Sequence, residues 1–165
     1  MPLASRLASL TSNGFSLDAD PSRLGTLEAV SADERGDRDA LWRRLRRDGY
    51  LYLPRFLDPR VVLDFRRFYF EQLSEVGLLD PAALPEEGRD GGGETDRAAL
   101  REQLFTAIVP SPEYQAFCAQ PAITDWFAWF YDGETFLHRR KIIRHTRPGE
   151  SGIGTATQAH YDLVY

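Results

Sequence analysis

The sequence has 165 residues, of which 20 are Lys or Arg and 25 are Asp or Glu, giving a formal net charge of −5. That length suffices for one domain with a hydrophobic core. No run approaches the ~20 apolar residues of a membrane span, and the acidic balance argues against nucleic acid as the main partner. The lone cysteine, Cys118, excludes an intrachain disulfide and fits a cytoplasmic setting, where it is expected to be a small buried side chain.

Residues 1–36 mix Ser, Asp, Gly and Pro with scattered leucines. They are expected to form a poorly ordered arm, and they carry no signal-peptide pattern. Order is expected from residue 37 onward, with 37–165 forming part of one domain. Residues 39–48 make a short amphipathic helix: Leu41, Trp42 and Leu45 share one face, while Arg43, Arg44, Arg46 and Arg47 lie largely around the other. Gly49 is placed to stop it. Residues 50–53 read as a strand ended by Pro54.

Asp58-Pro59 supplies a capping acceptor followed by proline at the first helical position. Val61, Phe65, Phe68, Tyr69, Leu73 and Val76 then recur at helical spacing to about Gly77. Residues 80–96, rich in Pro, Gly and acid, read as a flexible loop. The Gly91-Gly92-Gly93 run lacks the Lys-Ser/Thr of a phosphate loop. Helices are predicted at 97–107, 111–119 and 122–130. The last carries Trp126, Phe127, Trp129 and Phe130, all expected in the core.

After Gly133 the pattern changes. Residues 134–145 read as a long strand, 146–155 as a turn-rich connection and 157–165 as a second, antiparallel strand. Helices thus come first and strands last. So few strands cannot bury a sheet, so the fold class expected is α+β, with the rest of a larger β-domain lying outside these residues.

The chemistry concentrates at His160-Tyr161-Asp162. In a strand, positions i and i+2 project to the same face, which would set the His160 imidazole beside the Asp162 carboxylate. These are two adjacent ligands for a divalent transition metal. With one further histidine they would make the facial triad that leaves positions open on Fe(II). A bare His-x-Asp is a weak signal, and the order of its surroundings strengthens it.

Arg47-Asp-Gly-Tyr-Leu-Tyr-Leu-Pro-Arg-Phe-Leu57 with its following helix, then His145-Thr-Arg-Pro-Gly-Glu150 leading to Thr157-Gln-Ala-His-Tyr-Asp-Leu-Val-Tyr165, resemble the phytanoyl-CoA dioxygenase family over roughly residues 37–165. The resemblance implies N-terminal helices plus the first strands of a double-stranded β-helix (jelly roll). It also implies Fe(II), 2-oxoglutarate, O2 and hydroxylase-type oxidation of a small organic substrate. The family's third ligand, a distal histidine, and its keto-acid arginine would lie beyond residue 165. The chain is therefore expected to be an incomplete, inactive fragment on its own. Family relatives that halogenate replace the carboxylate ligand with a small residue, so Asp162 favours hydroxylation, desaturation or ring closure.

Four further residues are candidates for binding the keto acid. Thr157 and Gln158 precede the ligand, and Gln158 shares the face of His160. Lys141 and Arg144 could reach a carboxylate of the keto acid or of a substrate, and their opposite strand faces by parity imply that at most one faces the iron. Otherwise the basic residues from Arg139 to Arg147 serve as a charged strand edge. The competing readings are a catalytically inactive, truncated relative that is a binding or remnant protein, and a nucleic-acid binder that uses the basic strand and the arginine-rich face of the first helix.

Overall fold

The computed structural model describes residues 25–147, together with Thr11, Ser12, Phe15, Ser16, Asp18, Asp20, Ser22 and Arg23. The chain divides into two units, Ala29–Arg144 and a second made of Met1–Glu28 with His145–Tyr165. In the second unit, β1 (Thr11–Ser12) pairs antiparallel with β2 (Phe15–Ser16). The Asp20 carboxylate accepts from the backbone N–H and the hydroxyl of Ser22, and Arg23 pairs with Asp18 at 3.2 Å.

Four α-helices of the Ala29–Arg144 unit start on side-chain caps. α1 (Arg38–Asp48) begins where Asp37 accepts from the Ala40 N–H at 2.9 Å. It ends at Gly49, whose φ of 77° lies in the left-handed region that a side chain would disfavour. α2 (Pro59–Ser74) begins with Asp58 accepting from the Arg60 N–H at 2.8 Å and proline in the first turn. α3 (Arg97–Glu102) starts on Asp96, which accepts from Ala98 and Ala99. It runs on as a π-helical stretch, Gln103–Ile108, whose widened turn closes when Val109 donates to the Leu104 carbonyl at 2.9 Å. α4 (Pro112–Cys118) starts on Ser111, and α5 (Pro121–Tyr131) ends with Asp132 in the left-handed region.

Two apolar clusters form. Leu73 of α2 meets Leu78, Leu104 and Ile108, with Phe68, Tyr69 and Ile143 packed around them. This burial pushes the Tyr69 phenol up to about 12. Val30, Leu41 and Phe130 make the second cluster, joined by Trp42, Leu45 and Trp126. There Phe130 stacks on Trp42 at 4.5 Å and on Trp126 at 4.8 Å, and the Trp42 indole donates to the Phe130 carbonyl. Phe127 and Trp129, expected in the core, are each 38% exposed. Four aromatics within five residues point around most of a helix, and only part of that circumference meets the cluster.

Arg44, which the charge pattern placed with the outward arginines, is buried instead. Positions 41, 44, 45 and 48 share one face, and Arg44 is met there by Glu34 at 2.9 Å and Asp48 at 3.5 Å. The Ser31 N–H and hydroxyl, and then Arg44, hold the Glu34 carboxyl below its ordinary value.

The loop at 80–96 is pinned rather than free. Arg66 donates to the carbonyls of Glu86 and Glu87 at 2.7 and 2.9 Å, and Leu79 bridges antiparallel to Asp90. Gly88 sits at φ +60° with the Phe70 ring 2.5 Å from where a Cβ would stand, so no other residue fits without displacement.

The expectation of an α+β fold carrying the first jelly-roll strands is overturned. Within Ala29–Arg144 the described residues form helices and no strand. Residues 50–53 make one isolated parallel bridge, Ala29 to Tyr52. Residues 134–145 pair with nothing as a strand. They carry no regular secondary structure, and exposure alternates over 141–144: Lys141 and Ile143 half-buried, Ile142 and Arg144 exposed. The β-like pattern there reflects an irregular chain laid on helices, with Ile143 entering the Leu73 cluster. The predicted strand at 157–165 lies outside the described residues. No helix among the described residues is long and apolar enough to cross a membrane.

Candidate functional site

His160 and Asp162, and with them Thr157 and Gln158, lie outside the described residues. Their proposed metal and keto-acid roles therefore rest on sequence alone. Among the described residues no group of three His, Cys, Asp or Glu side chains is arranged to hold a metal ion. His138 is exposed, and its Nδ1 accepts from the Arg140 N–H at 3.1 Å.

Lys141 and Arg144 are described, and both line one pocket of about 720 Å3. Its construction follows from the packing. Ile143 anchors the irregular segment on the Leu73 cluster, which carries 140–144 alongside α3. Arg101, Glu102 and Phe105 enter the lining from α3 and its π-helical continuation, and Arg140 joins Lys141 and Arg144 from the segment. Lys141 is fixed by its hydrogen bond to Gln115 Oε1 at 2.7 Å. Gln115 in turn donates from Nε2 to the Val109 carbonyl at 2.6 Å, which sets the amide with its oxygen toward the ammonium. An ammonium has three donors, so this bond holds the group without exhausting it.

Opposite parity of Lys141 and Arg144 in sequence thus corresponds to different exposure, yet both reach the same pocket. Arg101 was not singled out by sequence, and Arg140 was marked only as one of the basic residues from Arg139 to Arg147. Nothing local links residues so far apart. For Arg140 the available signal was the density of basic residues after residue 138; no such run surrounds Arg101.

A second pocket, of about 420 Å3, is lined by Cys118, Phe127, Tyr131, Glu134 and Phe136 among others. The Tyr114 phenol is held above its ordinary value, first by burial and then by the neighbouring Cys118 thiol. The lining of this second pocket is mostly apolar.

No family model, curated protein or solved structure matches the chain.

Proposed function

We propose that the chain contributes to a cytoplasmic Fe(II)- and 2-oxoglutarate-dependent oxygenase, similar in chemistry to the phytanoyl-CoA dioxygenase family and acting on a small organic substrate. The observation that carries this reading is the run Thr157-Gln-Ala-His-Tyr-Asp162. One imidazole and one carboxylate two residues apart suit a borderline divalent metal, so the donor chemistry fits iron. His160 and Asp162 would hold the ion. Bound iron supplies the activation of O2 against 2-oxoglutarate. Thr157 and Gln158 would donate hydrogen bonds to the keto acid, and Lys141 or Arg144 would neutralise a carboxylate of the keto acid or of the substrate. The placement of both cations at one pocket supports that last role.

The test is succinate formation from 2-oxoglutarate, dependent on Fe(II) and O2, using the complete reading frame. Turnover should fall to background in His160→Ala and in Asp162→Ala. Succinate release unaffected by either substitution contradicts the proposal. A second reading, a non-catalytic binder of organic anions, is favoured by the basic pocket itself. It predicts ligand binding with no succinate under any condition.

A further inference from the structure

The structure assigns the pocket between α3 and the 140–144 segment to an organic anion: a phosphate or carboxylate head carried on an aromatic or aliphatic body. This inference stands without iron and without His160 or Asp162, so it goes beyond the oxygenase reading.

Charge is the first argument. In a chain with more acid than base, four cations (Arg101, Arg140, Lys141 and Arg144) line one concavity against the single carboxylate of Glu102. Several arginines elsewhere are matched: Arg38 with Asp132, Arg44 with Glu34, Arg67 with Glu86, Arg89 with Asp80 and Glu87. Among the described residues neither Arg101 nor Arg140 is in an ion pair. Like charges gathered in a concave site repel one another, and an anionic ligand relieves that repulsion while taking planar, two-point hydrogen bonds from guanidinium.

Shape and lining give the second argument. A volume of about 720 Å3 falls in the range of roughly 300–1,000 Å3 typical of small-molecule pockets, larger than an inorganic anion needs. Phe105 is 44% exposed and Ile142 61% exposed, and both line the same pocket. They offer an aromatic face and an aliphatic surface beside the cations. Such a pairing selects a ligand with an apolar body next to its charge. A concave site in an acidic chain suits a small anion better than a nucleic-acid strand, which needs an extended basic surface.

The test is calorimetric titration at low salt, without metal, using inorganic phosphate, 1-naphthyl phosphate, 2-naphthoate and a single-stranded oligonucleotide. At least one naphthyl probe should bind about 10-fold more tightly than inorganic phosphate and weaken as salt rises. Arg101→Gln and Arg140→Gln should each weaken it about 10-fold. Phe105→Ala should remove most of the naphthyl advantage while leaving phosphate binding unchanged. All three residues are exposed, and unchanged far-UV circular dichroism and melting temperature would confirm that the variants fold. The inference is overturned by absence of saturable binding of both naphthyl probes, by binding indifferent to the two arginine substitutions, or by tighter binding of the oligonucleotide than of either naphthyl probe.

Discussion

The capped helices and the irregular segment that follows them are held by different kinds of information. α1, α2, α3 and α4 each start on an Asp or Ser that accepts from a backbone N–H two or three residues away. The instruction and its effect lie within one turn. The 134–144 segment has no such local device. It is fixed by Ile143 entering a cluster formed some 35 to 70 residues earlier and by Lys141 reaching Gln115, 26 residues back. A cap specifies an element by itself, whereas an extended chain becomes a strand only if another strand lies beside it. Helices lie there instead.

That difference can be sharpened by substitution. The largest effect is expected at the shared cluster, where Leu73 is fully buried. Leu73→Ala should cost about 2–5 kcal/mol in chemical denaturation, while Ile143→Ala, at a half-buried position, should cost no more than about 2 kcal/mol. Equal losses would mean that the irregular segment is as much a part of the core as the helix. Next comes the cap. Asp58→Ala should cost about 1 kcal/mol, and Asp58→Asn or Asp58→Ser should restore most of it, because either side chain still offers an acceptor.

The smallest expected effect lies in acid. The Glu34 carboxyl is held below its ordinary value of 4.5, chiefly by the Ser31 N–H and hydroxyl and then by Arg44. A depressed carboxylate stabilises the fold above its unfolded value, and that contribution is lost as pH falls through the folded one. Glu34→Gln should therefore flatten the loss of stability below about pH 4.5, measured as melting temperature against pH. A profile identical to that of the unsubstituted chain would remove Glu34 from the pairing with Arg44.

The sequence was most legible where cause and effect are close together. Asp58-Pro59 and Gly49 announced a start and a stop that the fold keeps. Arg44 was not legible, because helical spacing puts it on a face without revealing that Glu34 and Asp48 cover that face. Residues 134–145 defeat the strand reading because a run of strand-forming residues fits an irregular chain packed on helices as well as a strand with a partner. At the candidate site, the parity of Lys141 and Arg144 was readable. The convergence of Arg101 and Arg140 on them was not, because it depends on where Ile143 packs.

The functional proposal turns on whether His160 and Asp162 grip one ion together. The most direct measurement is titration with Mn(II), a spectroscopically convenient stand-in for Fe(II), followed by electron paramagnetic resonance. A single site is predicted, weakened at least ~10-fold by His160→Ala and equally by Asp162→Ala, and untouched by His138→Ala. Binding that persists undiminished in both of the first two variants would contradict it.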